Sequence, residues 1–184
     1  GLGIDLSPEY IELAQKRLLE LKGALPWKLY RDDALNLSRY LQEESADLCL
    51  TSPPYWDILQ ARRTADHKVS RHYGHREHDL GNIREYELYL EKINKIFAEV
   101  FTALKKGKYC IVVVMDLRKK SKFYPLHLDL TLIMQKIGFL LDDIIIWDRR
   151  RDYNFLRPLG YPYVFRVNKV HEYLLIFQKP KAKK

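Results

Sequence analysis

Short apolar runs alternate with longer amphipathic stretches along most of this chain. Residues 2–6 form a brief apolar run, and residues 8–21 then carry apolar side chains at helical spacing. Between them, Ser7-Pro8-Glu9 provides an N-cap, a proline in the first turn and an acid that suits the positive end of a helix. The pattern therefore predicts a strand followed by a helix.

The same alternation continues to the C-terminal region. Further strands are predicted at residues 27–30, 46–50, 109–115, 139–147 and 171–178. Helices are predicted at residues 34–41, 82–104 and 124–137, with Asn82 and Glu85 as a capping box and Lys105–Gly107 as a stop. Strands that alternate with helices predict an open α/β sheet with helices on both faces.

Polar residues end three successive predicted strands. Asp5, Asp33 and Ser52 each follow an apolar run. In open α/β sheets, ligands bind beyond the carboxyl ends of the strands. The sequence therefore predicts a ligand site that these three residues share.

The segment after the third strand reads Thr-Ser-Pro-Pro-Tyr-Trp over residues 51–56. Prolines fix φ and remove N–H donors, so the carbonyl groups here are held in place and are not used by a helix or a sheet. A hydroxyl, a fixed carbonyl and an aromatic ring suit the recognition of a flat ring that carries an amine. The alternative is an ordinary strand-ending turn, where proline pairs are common.

Composition narrows the function classes. The chain has 184 residues, enough for one domain with a sizeable core, and its formal net charge of +8 favours a polyanionic partner such as nucleic acid. It shows neither a membrane-spanning apolar run nor an opening signal peptide. Cys49 and Cys110 lie in apolar runs, as small hydrophobes in a reducing cytoplasm do. The first residue is glycine, which suggests a piece of a longer protein or a processed chain.

Four segments together resemble a known family. They are Gly3–Tyr10, Asp33-Ala34, Thr51–Tyr55 and His171–Phe177, and they resemble the amino-methyltransferases that modify cytosine N4 or adenine N6 in DNA with S-adenosylmethionine. The resemblance implies a Rossmann-like methyltransferase sheet and a single catalytic domain over residues 1–184. It also implies DNA as substrate and S-adenosylmethionine as cofactor.

The resemblance implies roles for two groups of residues. Asp5, Leu6, Asp33 and Ala34 would bind the cofactor, Asp5 through the ribose hydroxyls and Asp33 through the adenine amino group. The alternative for either aspartate is a helix cap or a surface charge. Ser52, Pro53, Pro54 and Tyr55 would be catalytic: Ser52 Oγ and the Pro53 carbonyl would accept the N–H groups of the target amine, and Tyr55 would stack on the flipped base. Ser before Pro-Pro favours cytosine N4, and adenine N6 or an RNA amine stays open.

Basic residues predict where nucleic acid would bind. Residues 57–82 directly follow the catalytic segment and form a long connection, a candidate DNA-contact loop. A second basic and aromatic cluster lies near residues 147–166, where a solvated loop that packs its own tyrosines is the alternative. The predicted contacts are Trp56, Arg62, Arg63, Lys68, Arg71, Arg149, Arg150, Arg151 and Arg157.

Three further features are given no functional role. His72, His75 and His78 follow one another at three-residue spacing, but Gly74 disfavours the helix that would align them, and no metal site is predicted. Asp116 is interpreted as a turn residue. Residues 181–184 form a basic tail.

One segment that the family resemblance leads us to expect is absent from this sequence. No Gly-rich cofactor loop stands in the sequence, so the sheet is predicted to lack its first strand, leaving unpaired edges on the strands of residues 2–6 and 46–50. Three explanations stay open: a fragment, a split enzyme completed by a second polypeptide or a homo-oligomer, or a remnant that binds DNA without methylating it. The chain alone is expected to bind S-adenosylmethionine weakly or not at all.

Overall fold

The computed structural model describes residues 1–21, 26–58, 79–119, 121–152, 159–161, 164–167 and 169–181. The chain begins with a parallel pair of strands, β1 (Leu2–Asp5) and β2 (Lys28–Arg31), connected through helix α1 (Pro8–Glu20). The Ser7 hydroxyl accepts a hydrogen bond from the Tyr10 N–H at 3.4 Å. The predicted N-cap of this helix is therefore confirmed.

Four longer strands form a second sheet. Their order is β3 (Ala46–Thr51), β4 (Leu104–Val114), β10 (His171–Gln178) and β7 (Leu140–Asp148). The β3–β4 pair is parallel, whereas β10 runs antiparallel to both of its neighbours.

Helices α2 (Tyr86–Ala103) and α3 (Leu126–Ile137) supply the rest of the core. Along β4 the buried residues alternate, and Cys110, Val112 and Val114 are fully buried with α2 residues such as Ile93 and Phe97. Burying one large apolar side chain contributes about 1.5–3 kcal/mol, so this layer is the main source of stability. This packed layer of β4 and α2 therefore keeps one edge of the candidate site in a fixed position.

Two predicted boundaries are wrong. Helix α2 ends at Ala103, and the predicted stop at Lys105–Gly107 lies inside β4, because Leu104 pairs with Ala46 and the Gly107 N–H bonds the Lys179 carbonyl at 2.8 Å. The capping box is not formed either. The Asp79 carboxylate caps a 3-10 turn at Leu80–Asn82 by accepting the Gly81 N–H at 2.8 Å, and α2 starts after Glu85 without a side-chain cap.

Two short hairpins were not predicted. They are β5 (Leu117–Lys119) with β6 (Lys122–Tyr124), and β8 (Leu159–Tyr161) with β9 (Val164–Val167). These strands have three or four residues and, unlike β1 and β2, do not enclose a predicted helix that would indicate them.

The two sheets are separated where the sequence predicts an absent strand. Among the described strands, β1 pairs only with β2, and β3 pairs only with β4. The free edges of β1 and β3 line one cavity of about 440 Å³. Leu48 and Leu50 on β3 are 56% and 65% exposed, which is high for leucines of an inner strand. The prediction of a sheet incomplete at its first strand is confirmed.

The helices cover the sheets as the α/β pattern predicts. Helix α1 packs on β1 and β2, while α3 packs on β10 and β7. None of the described helices is long and apolar enough to cross a bilayer.

Candidate active site

The Ser52–Tyr55 segment leaves β3 as a turn that is fixed by helix α2. The Pro54 carbonyl accepts the Tyr89 hydroxyl at 2.7 Å and the Trp56 N–H at 2.8 Å. Trp56 adopts a left-handed backbone conformation with φ of 52°, which turns the chain back towards the core. Two donors thus occupy the Pro54 carbonyl, whereas the described residues provide no donor to the neighbouring Pro53 carbonyl.

Two side chains of this segment meet through their hydroxyl groups. The Tyr55 hydroxyl lies 3.1 Å from Ser52 Oγ. Burial raises the pKa of Tyr55 to about 12, and the nearby carboxylate of Glu172 acts in the same direction. Tyr55 therefore keeps its proton throughout the neutral range and can act as a hydrogen-bond donor.

Glu172 is a residue of this site that was not predicted from the sequence. It lies on β10, is 6% exposed, and accepts a hydrogen bond from Arg149 Nη1 at 2.7 Å. An acid inside an otherwise apolar strand was the available signal, since buried carboxylates almost always have a specific partner.

The predicted cofactor residues lie on the same cavity as the predicted catalytic segment. Asp5, Leu6, Asp33 and Ala34 line it together with Ser52, Pro53 and Pro54. One oxygen of Asp5 accepts the Ser7 N–H at 2.7 Å, and one oxygen of Asp33 accepts the Leu35 N–H at 3.0 Å. Asp33 is therefore the N-cap of a 3-10 helix at Ala34–Arg39, and Asp5 braces the Ser7 N-cap of α1. Within the described chain each aspartate has a second carboxylate oxygen with no protein partner.

Asp32 shows by contrast which of two adjacent acids can hold a ligand. Its carboxylate accepts the Tyr40 hydroxyl at 2.6 Å and Asn36 Nδ2 at 2.8 Å. These bonds, that of Tyr40 foremost, lower the pKa of Asp32. Asp32 is thus committed to the local turn, whereas Asp33 has an oxygen available for the hydroxyl or amino donors of a nucleoside.

Comparisons of the sequence with known proteins find similar chains. The profile of a DNA methylase family matches residues 46–184. The chain belongs to this DNA methylase family. It is 31% identical to the type II methyltransferase M.MjaVI of Methanocaldococcus jannaschii, over 74% of this chain and 63% of that protein. It is 29% identical to M.MthZI of Methanothermobacter thermautotrophicus, over 76% of this chain and 41% of that protein.

Solved structures show the same fold. A putative DNA modification methylase from Thermus thermophilus, complexed with S-adenosyl-L-methionine, superposes with a TM-score of 0.57 at 27% identity, covering 83% of this chain and 55% of that one. The cytosine-N4-specific PvuII DNA methyltransferase gives a TM-score of 0.56 at 20% identity, covering 83% and 50%. The chain therefore has the Rossmann-like methyltransferase fold and spans about half the length of these structures.

Trp56 does not lie where a DNA contact, as predicted from the sequence, would have to lie. Its side chain is 3% exposed and packs against Tyr86 and Tyr124 at ring-centroid distances of 5.1 and 4.9 Å. Lys119 Nζ covers its face at 4.1 Å. The prediction is wrong for this structure, because a ring buried among other side chains is not available to stack on a base.

Some of the predicted basic DNA contacts lie within the described residues, and the others lie outside them. Arg149 is engaged by Glu172 and Asp152, whereas Arg150 and Arg151 are exposed, with Arg150 bonded to Asp148 through Nε at 2.7 Å. Arg150 and Arg151 stay predicted DNA contacts. The remaining contacts lie outside the described residues: Arg62, Arg63, Lys68, Arg71 and Arg157. So do His72, His75 and His78, and the described part of the chain holds no cluster of three or more metal-ligating side chains.

Asp116 is more than a turn residue. It is buried after β4 and accepts hydrogen bonds from His127 Nδ1 at 2.6 Å and Lys169 Nζ at 3.1 Å. Burial works to raise the pKa of Asp116, but the bonds from His127 and Lys169 outweigh it and hold the pKa below its ordinary value. Asp116 thereby joins β4, the start of α3 and the segment that leads into β10.

Replacing Asp116 by asparagine tests this junction. We expect the free energy of unfolding to fall by about 1–3 kcal/mol, because Lys169 and His127 lose a buried charged acceptor. Asp47→Asn is the matched control, since Asp47 pairs with Lys105 at 2.9 Å on the surface, where solvent screens the ion pair, and its loss should change stability far less. Urea unfolding followed by circular dichroism measures both. Equal effects of the two variants would contradict the role assigned to Asp116.

Buried tyrosines should make the stability of the chain decrease at alkaline pH. Burial raises the pKa of Tyr86 and Tyr89 as well as that of Tyr55, and Asp129 adds to the effect at Tyr86 through a 2.7 Å hydrogen bond. In the unfolded chain these phenols ionise near pH 10, so the folded state binds more protons above that pH. The stabilisation is complete below about pH 10 and is lost as the pH rises.

We expect the free energy of unfolding to fall by about 1–3 kcal/mol between pH 9.5 and 11.5. Urea unfolding at a series of pH values measures this loss. In Tyr86→Phe the fall should be smaller, because one shifted phenol is gone. An equally steep fall in that variant would rule out Tyr86 as a contributor.

Proposed function

We propose that this chain carries the base-binding part of an enzyme that transfers a methyl group from S-adenosylmethionine to an exocyclic amine in DNA, with cytosine N4 as the favoured target. The observation that carries the proposal is the shared cavity. It joins the segment suited to an amine, at Ser52 and Pro53, to the carboxylate oxygens of Asp5 and Asp33 that have no partner among the described residues.

The chain would have to position a weak nucleophile, the exocyclic amine of the target base. The lone pair of an exocyclic amine is delocalised into its ring. Ser52 Oγ and the Pro53 carbonyl would accept the two N–H hydrogens and so favour a pyramidal nitrogen with an available lone pair. Tyr55 would fix the plane of the flipped base, and these groups would act through orientation and electrostatics. No covalent bond to the protein is needed.

The cofactor residues would contribute hydrogen-bond acceptors at fixed positions. Asp5 would accept from ribose hydroxyls and Asp33 from an adenine amino group, since a carboxylate oxygen only accepts. S-adenosylmethionine, when bound, supplies an electrophilic methyl group. Leu6 and Ala34 would line the nucleoside on the apolar side of the cavity.

The choice of base rests on a single residue. Ser52 stands before Pro-Pro where relatives acting on adenine would be expected to carry an acidic or amide residue, and this favours cytosine N4. Adenine N6 in DNA and an amine in RNA are the alternatives.

We also propose that an extended segment completes the sheet. The carboxyl ends of β1 and β3 open onto the same cavity, so a strand lying between them would run parallel to both and pair with both free edges. It would cover the exposed Leu48 and Leu50, and its Gly-rich end would approach Asp5. Another part of the polypeptide or a second polypeptide would supply it, and an inactive DNA-binding subunit is the alternative without it.

The proposed function is tested by mass spectrometry of nucleosides from DNA treated with the complete protein and S-adenosylmethionine. N4-methylcytosine is the expected product. N6-methyladenine would overturn the assigned base, and methylation of RNA alone would overturn DNA as substrate. DNA binding without a methylated nucleoside would identify the inactive subunit.

A further inference from the structure

The β5–β6 hairpin stands at the carboxyl edge of the sheet, beside the Ser52–Tyr55 segment. It follows β4, which runs parallel to β3, so both strands end at this edge. Lys119 on β5 pairs with the Asp57 carboxylate, and its Nζ lies 4.1 Å from the ring centroid of Trp56. The Tyr124 ring on β6 packs on the same indole at 4.9 Å. The hairpin is therefore held against the turn that follows the predicted catalytic segment.

The other face of the hairpin joins an aromatic ring to two cations. Arg118 and Phe123 are cross-strand partners, and the Arg118 guanidinium lies 5.4 Å from the centroid of the Phe123 ring. Lys169 places its Nζ 3.7 Å from the same centroid and donates to Asp116 Oδ2 at 3.1 Å. Cations within about 6 Å of an aromatic ring are attracted by its quadrupole. Because Phe123 is exposed, this face presents positive charge on the surface.

The described residues do not balance this charge with acids. Arg118 and Lys122 are exposed, and no carboxylate of the described chain forms an ion pair with either. Asp57 and Asp116 are each engaged by another lysine. Lys122 also lies directly opposite Lys119, and like charges in that arrangement weaken a hairpin. Charges that the fold leaves uncompensated indicate an anionic partner.

The phosphate groups of a nucleic acid suit these cations. Arg118 Nη1 donates to the Ser121 carbonyl at 3.0 Å, which orients the guanidinium and leaves its other N–H groups for a ligand. A guanidinium can bind a phosphate through two parallel hydrogen bonds, and a lysine binds it as a point charge. Contacts with phosphates fix the position of a duplex on a protein. Such contacts are needed beside a flipped nucleotide, because that nucleotide has left the base stack.

We propose that the β5–β6 hairpin binds the DNA backbone beside the flipped base, with Arg118 and Lys122 as the phosphate ligands. The inference rests on the proposed function, and it adds a surface to the DNA contacts predicted from the sequence. Because the hairpin packs against Trp56, the DNA that it holds has a fixed position relative to Ser52. The hairpin thus positions the duplex without touching the reacting amine.

The double variant Arg118→Gln/Lys122→Gln tests the hairpin in the complete protein. Anisotropy of a fluorescently labelled DNA duplex, measured over a series of salt concentrations, should show a Kd about 10-fold or more above that of the parent. The slope of log Kd against log salt should fall by about 2, because two phosphate contacts are lost. Lys106→Gln/Lys136→Gln is the matched control, since it removes the same charge at the opposite edge of the sheet, where β4 begins and α3 ends. The control should keep the parental slope.

Steady-state methylation separates positioning from chemistry. In the hairpin variant the KM for DNA should rise about 10-fold, with kcat within about twofold of the parent. Arg118→Lys/Lys122→Arg keeps both charges and should restore most of the affinity and the salt slope. A hairpin whose only role is structural would not respond to charge in this way.

Equal affinities and slopes in the hairpin variant and its control would overturn the proposal, and so would a loss that falls on kcat alone. Tighter binding of the parent to single-stranded RNA than to the duplex would overturn DNA as the partner. If the parent binds DNA through the hairpin but yields no methylated nucleoside, the proposed function fails and the contact stands. If the parent methylates DNA and the hairpin variant binds it as the parent does, only the contact fails.

Discussion

Replacing Ser52 by alanine is expected to lower kcat for DNA methylation about 100- to 1,000-fold and to leave the KM for DNA nearly unchanged. The expected size is that of removing one preorganised hydrogen-bonding group that acts on developing charge. Ser52 Oγ is held at 3.1 Å from the Tyr55 hydroxyl and lines the cavity, so the group is fixed before the substrate arrives. A fixed acceptor does not have to be reoriented during the reaction, which is why its loss falls on kcat.

A matched serine shows whether the effect belongs to the site. Ser45 donates to the Gln42 carbonyl at 2.7 Å on the surface, and Ser45→Ala should keep the parental kcat. Tyr55→Ala should lower kcat further than Tyr55→Phe, because it removes the ring as well as the hydroxyl. Steady-state transfer of a labelled methyl group measures all four variants. Parental rates in both Ser52→Ala and Tyr55→Ala would refute the assignment of this segment.

The second large effect concerns the methyl donor. Residues 1–184 alone are expected to bind S-adenosylmethionine weakly or not at all, because nothing among the described residues pairs with the facing edges of β1 and β3. Addition of a segment that carries an apolar strand followed by a Gly-rich loop should raise the affinity at least about 100-fold, equivalent to about 2.7 kcal/mol. The gain comes from ordering the two sheet edges around Asp5 and from bringing backbone close to the ligand.

Calorimetric titration with and without the added segment measures this gain. In the completed protein, Asp5→Asn and Asp33→Asn should each weaken binding about 10-fold or more, since an acceptor for a donor on the nucleoside is altered. Asp47→Asn is the control and should leave the affinity unchanged. Low-micromolar binding by residues 1–184 alone would contradict the requirement for the segment.

Most of the features that could be predicted depend on residues that are close together in the sequence. The strand before Asp5, the helix capped by Ser7 and the turn at Ser52–Tyr55 depend on local periodicity, on capping and on the fixed φ of proline. Those effects act over a few residues, so the sequence shows them directly. The placement of Asp5, Asp33 and Ser52 on one cavity also follows, because the carboxyl ends of neighbouring parallel strands meet at one edge of a sheet.

Contacts between distant segments could not be predicted in this way. Sequence alone interpreted Trp56 as a base contact and Asp116 as a turn residue, whereas packing makes the first a core residue and the second a junction. The local sequence around Trp56 is the same in either case. Whether an aromatic ring is buried depends on what α2 and β6 bring against it, and here they bring Tyr86 and Tyr124.

The order of the longer strands and helices and the family resemblance could be predicted from the amino-acid sequence alone, and so could a sheet incomplete at its first strand. The three-dimensional fold was needed to show that the unpaired edges of β1 and β3 line one cavity, and that Arg149 pairs with the buried carboxylate of Glu172 on β10. The physical reason is that strand pairing brings together residues far apart in the chain. The antiparallel return of β10 beside β4 puts a buried carboxylate behind the turn that follows β3, and no local pattern encodes that position.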